Sequence, residues 1–160
     1  GNRDFLFADG FRARTGCELL PDEHVIELYG QRVLLMHGDT LCTDDVAYLQ
    51  LRQLLRDPQW QTDFLQKPFA ARLQLALNLR TESQQQTAQK SAAIMDVSLK
   101  TVLARMHAHN VMTLIHGHTH RMYHHYLTDQ AKTLQRIVLS DWHGEAHALE
   151  VYSNGEQHLY

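Results

Sequence analysis

The stretch Leu114-Ile115-His116-Gly117-His118-Thr119-His120-Arg121 carries three histidines at alternate positions, behind an apolar run that begins at Val111. Extended backbone sends every second side chain to the same side. His116, His118 and His120 are therefore expected to face one way at the end of a buried strand. Neutral imidazole is the commonest side-chain metal ligand near neutral pH, and Gly117 permits a turn that other residues resist. Three such rings read as a metal site. A further histidine stands at a comparable place. Val33-Leu34-Leu35-Met36 is continuously apolar, as in a strand covered on both faces, and it ends in His37-Gly38-Asp39. Open α/β sheets bind ligands at strand ends, so His37 is expected to share the site. His124, His125, His143 and His147 lack ligand spacing and read as sheet or surface residues.

Positioning these rings requires a sheet and helical crossovers. Residues 4–15 suit a short helix, with Gly16 as its C-terminal cap. Residues 24–29 and 31–37 read as strands around Gly30. The polar run at 40–45 caps a following helix, with Thr43 or Asp44 as the N-cap, which leaves Asp45 able to face a ligand. Residues 46–80 are leucine-rich and carry five basic against two acidic side chains. Pro58 and Pro68 divide that segment into short helices. Residues 73–79 alternate like a strand but lack β-branched residues, so they read as helical. Basic plus apolar composition marks an amphipathic segment lying on a surface, or a helical insertion with its leucines packed inward. Residues 81–90 are polar and glutamine-rich, a linker or a helix start. Residues 91–110 form the strongest helix pattern, with an apolar stripe of Met95, Leu99, Val102 and Met106. Residues 111–115 then form a strand, so the helix is expected to be a crossover between parallel strands. Strands at 122–127 and 134–139 follow, and Ser153-Asn154-Gly155 signals a terminal hairpin.

Composition bounds the function. A chain of 160 residues is long enough for one domain with a real core. It is 44% hydrophobic and 21% charged, ordinary for a globular protein. A net charge of −3 gives no basic field for nucleic acid. Cys17 and Cys42 make no disulfide framework, and no apolar run approaches the roughly 20 residues of a membrane span. The opening Gly1-Asn2-Arg3-Asp4 is a turn that usually follows a strand. The expectation is a piece whose first part has been lost.

Three motifs occur in order: the Gly1-Asn2-Arg3-Asp4 turn, the strand end Met36-His37-Gly38-Asp39 and the strand end His116-Gly117-His118-Thr119-His120. Together they resemble the calcineurin-type metallophosphoesterase superfamily. Arg3 stands where most of that superfamily has His. That departure, with residues 37–45 and Lys90-Ser91-x-x-Ile94-Met95-Asp96-Val97, narrows the likeness to its lipid A biosynthesis branch, across the whole chain. The resemblance implies an α/β four-layer sandwich. This chain would be a single partial domain over 1–160, with a helical lid insertion at about 44–90. It implies two manganese ions, with Asn2, His37, His118 and His120 matching metal ligands. Those four residues and Arg3 would carry catalysis. Asn2, Arg3, Asp45, Ser83, Thr87, Lys90 and His118 match substrate-binding positions, although Thr87 stands where the branch carries Asn. The implied reaction hydrolyses the pyrophosphate bond of UDP-2,3-diacylglucosamine to UMP and 2,3-diacylglucosamine 1-phosphate (lipid X). The implied setting is peripheral, on the cytoplasmic face of a bacterial inner membrane. The superfamily's upstream D-x-H and G-D-x-x-D/E motifs do not occur in the chain. Weak metal binding and little turnover by the 160 residues alone are therefore expected. Other readings are a related phosphoesterase acting on nucleotides or nucleic acid, and a non-catalytic metal-binding module.

Overall fold

The computed structural model describes residues 1–2, 4–91 and 93–160. Among them a mixed five-stranded sheet has the order β1-β2-β3-β5-β4. β1 (Glu23–Leu28) and β2 (Gln31–Met36) form an antiparallel hairpin. Its turn residues Tyr29 and Gly30 both have positive φ, 48° and 80°, the conformation that matches strand twist in a two-residue turn. β2 then runs parallel to β3 (Thr113–His116), with Met36 opposite His116. β3 runs parallel to β5 (Lys132–Val138), and β4 (Tyr123–Asp129) pairs antiparallel with β5. β6 (Leu149–Val151) and β7 (Gln157–Leu159) make a separate hairpin.

Both faces of the sheet are covered, which is why β2 and β3 read as unbroken apolar runs. On one face Leu34, Met36, Leu114 and Leu134 pack with Leu41, Val102 and Met106. On the other Val33, Ile115 and Ile137 pack against Leu149 and Leu159 of the terminal hairpin. β3 is buried along its whole length, and it ends side by side with β2. The His37-Gly38 and His116-Gly117 turns leave the sheet together.

The helices are α1 (Asp9–Thr15), α2 (Val46–Leu55), α3 (Pro58–Gln66), α4 (Phe69–Gln89) and α5 (Leu99–Ala108). A 3-10 turn covers Asp39–Leu41. Gly16 caps α1 in the left-handed region at φ 70°. The helix begins later than position 4, because residues 4–7 close a turn through Phe7 N–H to Asp4 O at 2.9 Å. Pro58 opens α3, and Pro68 precedes α4. The cap of α2 is Asp45 rather than Thr43 or Asp44: its Oδ1 accepts from Tyr48 N–H at 3.1 Å. Residues 81–89 are no linker. They extend α4, since glutamine is a good helix former and no Gly or Pro intervenes. The expected helix over 91–110 is shorter, starting at Leu99. Asp96 holds the preceding stretch out of the helix: Oδ1 accepts from Val97 N–H at 2.8 Å, and Oδ2 pairs with Arg121. Such local side-chain bonds compete with helix formation. Val102 and Met106 remain core, while Leu99 is exposed. α5 is the crossover that makes β2 and β3 parallel.

Candidate functional site

The two strand ends are tied by backbone. Gly117 N–H donates to the His37 carbonyl at 3.0 Å. This brings the His37 and His118 rings to 5.2 Å between centroids, edge to face. His37 Nε2 lies 2.8 Å from Asn2 Oδ1. The Tyr48 ring sits 5.4 Å from His118, and its hydroxyl is 2.8 Å from both Asn2 Oδ1 and Asp39 Oδ2. A phenol has one proton to donate, so it serves one of these acceptors at a time. Asn2, His37, His118 and Tyr48 thus form one cluster.

The three alternate histidines diverge instead of facing one way. The period-two argument requires extended backbone, and it ends at His116. His118 and His120 have φ of 62° and 54°, a left-handed conformation that breaks the alternation. His116 is 1% exposed and points into the protein, where Arg136 Nη1 donates to its Nε2 at 3.2 Å. His120 Nδ1 lies 3.0 Å from Asp141 Oδ2. Among the described residues, no group of three or more His, Cys, Asp or Glu is gathered closely enough to hold a metal ion. Arg3 lies outside the described residues.

Burial sets the charge state of the cluster. It disfavours the imidazolium and pulls His37 down to about 4, and it lowers His118 as well. Both rings are neutral near pH 7, with a lone pair to offer. His118 Nδ1 is buried and has no hydrogen-bond partner among the described residues. Asp39 behaves oppositely. Burial opposes its charge, but the bonds from Arg52 and Tyr48 outweigh that and hold its carboxyl low. Arg52 Nε reaches Asp39 at 2.7 Å, and Nη2 reaches Asp22 at 2.5 Å. Burial, then Asp39, push the Tyr48 hydroxyl up, so it stays protonated.

From this cluster a cavity of about 620 Å³ runs into the block formed by α2, α3 and α4. Asn2, Asp45, Ser83, Thr87, Lys90 and His118 all line it. The rest of the lining is largely apolar, with Leu51, Leu55, Trp60, Phe64 and Leu77, and Arg52, Arg56 and Arg80 stand among them. Lys90 Nζ bonds both Asp45 oxygens, at 2.6 and 2.8 Å. Asp45 therefore caps α2 and pairs with Lys90 at once. Sequence reasoning missed Asp39, Tyr48 and Arg52. The signal was present: Tyr48, Arg52 and Arg56 recur every four positions, a polar stripe on a leucine-rich helix.

No protein-family model matches the chain. Comparison with curated proteins instead finds similar chains at 47–49% identity. These relatives share one name, UDP-2,3-diacylglucosamine hydrolase. The protein of Pseudomonas paraeruginosa (strain PA7) is 49% identical over 157 residues, which is 98% of this chain and 65% of the relative. That of Enterobacter sp. (strain 638) is 47% identical over 97% of this chain and 65% of its own length. For Escherichia coli O81 (strain ED1a) the values are 47%, 94% and 63%. The chain thus spans about 65% of the length of the curated relatives it matches.

Proposed function

We propose that this chain forms the substrate-cleft part of a manganese-dependent hydrolase of the calcineurin-like, four-layer type, cleaving the pyrophosphate bond of UDP-2,3-diacylglucosamine in lipid A biosynthesis. The observation that carries the reading is a single cavity that joins a histidine–amide cluster to an apolar, arginine-studded pocket. A sugar nucleotide bearing two acyl chains needs both. The helices α2–α4 act as a lid over the site, with their leucines and aromatics receiving the chains.

The residues present fit a divalent cation in part. His118 Nδ1 is a buried ring nitrogen without a partner among the described residues. The 2.8 Å bond between His37 Nε2 and Asn2 Oδ1 joins two donors that one cation would hold together. Asn2, His37 and His118 would hold the metal, and His120 would join them on leaving Asp141. Nitrogen and oxygen ligands suit Mn²⁺, with selection by geometry rather than affinity. Bound there, the metal would supply Lewis acidity and a hydroxide at neutral pH.

The chain's own groups do the rest. Lys90 and Arg3 neutralise the pyrophosphate, Arg3 through its planar fork. Ser83 and Thr87 line the approach to it. The substrate's charge competes with Asp45 for Lys90. His37 and the Tyr48 hydroxyl, each 2.8 Å from Asn2 Oδ1, hold Asn2 in place. Water attacks the α-phosphorus, its oxygen stays on UMP, and the bridging oxygen leaves with 2,3-diacylglucosamine 1-phosphate. Leu54, Leu65, Phe69 and Leu73 are exposed on the helical block, and their apolar area beside basic residues supports peripheral binding to an anionic inner-membrane surface on its cytoplasmic side. No helix of the described residues is long and apolar enough to cross a membrane.

The test is product analysis with UDP-2,3-diacylglucosamine, supplying Mn²⁺ or EDTA. UMP and lipid X appearing with Mn²⁺ and lost on His118→Ala support the reading. Cleavage of a simple chromogenic diester in preference to the lipid would overturn it. Since no group of three or more His, Cys, Asp or Glu is gathered among the described residues, turnover by these 160 residues alone is expected to be far below that of the longer relatives.

A further inference from the structure

His116 is the last residue of the buried strand β3, yet it takes no part in the cluster that His37 and His118 form. Two contacts fix its imidazole. Nδ1 lies 2.9 Å from the Gly117 carbonyl oxygen. A carbonyl only accepts, so Nδ1 carries the proton and Nε2 offers its lone pair. Arg136 Nη1 meets that lone pair at 3.2 Å, and a guanidinium only donates. The two contacts select the same tautomer independently. The ring also presses on the neighbouring turn: a Cβ at Gly38 would stand 2.7 Å from His116 Nδ1, and Gly38 sits at φ 107°. Gly38 follows His37, and Gly117 precedes His118. The ring thus lies in the angle between the two turns, whose backbones are joined by the Gly117 N–H to His37 carbonyl bond.

We propose that His116 is a positioning residue: held in one tautomer by Arg136 and the Gly117 carbonyl, its ring sets the distance between His37 and His118. An ordinary core side chain would fill the same volume without a polar hold on either turn. The geometric claim stands on the contacts above. Its use, holding two cation ligands in register, rests on the functional reading given under the preceding heading.

The experiment is histidine-ring NMR on the full 160-residue chain in metal-free buffer. The expected result is an Nδ1–H tautomer for His116 and a cross-peak between the His37 and His118 rings. His116→Phe, which fills the space, should lose that cross-peak and move both ring resonances. His116→Asn, which keeps an N–H for the Gly117 carbonyl, should restore most of it. An Nε2–H tautomer in the wild type, or an unchanged His37–His118 cross-peak in folded His116→Phe, overturns the proposal. If the Phe variant does not fold, Arg136→Met decides: it removes the hold on Nε2 while the Gly117 carbonyl keeps the tautomer, and an unchanged His37–His118 cross-peak there also overturns the proposal. Adding MnCl₂ to the wild type separates the two readings. Selective broadening of His37 and His118 supports the metal role, whereas its absence removes that role and leaves the positioning result as measured.

Discussion

Asp39 shows how a single buried carboxylate organises its surroundings. It is 2% exposed and takes bonds from Arg52, Tyr48 and the Thr40 backbone N–H. Tyr48→Phe removes the one proton that Asp39 and Asn2 share, at an expected cost of about 1 kcal/mol, measurable by urea denaturation. The thiols make a second test. Burial pushes the Cys42 thiol up to about 12, whereas Cys17 is exposed. Reactivity follows thiolate and access, so a thiol reagent should label Cys17 quickly and Cys42 after unfolding. The histidines give a third. In metal-free buffer, burial lowers His37 and His116 to about 4. The unfolded chain, with imidazoles near 6.5, then binds more protons between those values. Stability should be full above about pH 6.5 and fall as pH drops toward 4, and His37→Asn should flatten that slope in a melting series. The His37 and His118 pair was legible from strand-end spacing. The outward turn of His120 was not, because a left-handed backbone at a non-glycine residue leaves no mark in residue type.

At the scale of elements, the joint between α2 and α4 depends on Asp45 and Lys90. Asp45→Ala loses the cap and the ion pair, and should cost about 1–2 kcal/mol from the cap alone. Asp45→Asn keeps a capping oxygen but leaves Lys90 without its counter-charge, so it should melt between the two. β1, β2, β3 and the terminal hairpin were readable because alternation, apolar runs and turn residues are local properties. The real lengths of α4 and α5 were not. Whether a glutamine-rich stretch continues a helix depends on neighbours distant in sequence, and Asp96 stops α5 through Arg121, a residue 25 positions away. The four-residue stripe on α2 was legible in hindsight, since its polar members look like solvated charge until the cavity behind them is known.

For the whole molecule, the cleft between the sheet ends and the helical block governs what can bind. Leu77→Glu places a charge in its apolar wall. Leu77 is half exposed in the free protein, so the cost falls on binding, when acyl chains lying on the glutamate strip its water, and affinity for a diacylated anionic ligand should fall more than about tenfold. Binding of UMP, which lacks the chains, should change little, and isothermal titration of both ligands checks the contrast. The bond from Gly117 to the His37 carbonyl joins positions about eighty residues apart. Closing so long a loop costs on the order of 4 kcal/mol of chain entropy, repaid when the central strands pair. The cluster should therefore be among the last parts to assemble as the chain refolds. A cut within the intervening helices would leave two pieces still zipped together by their strands, so nicked protein should run whole on a sizing column and part on denaturation.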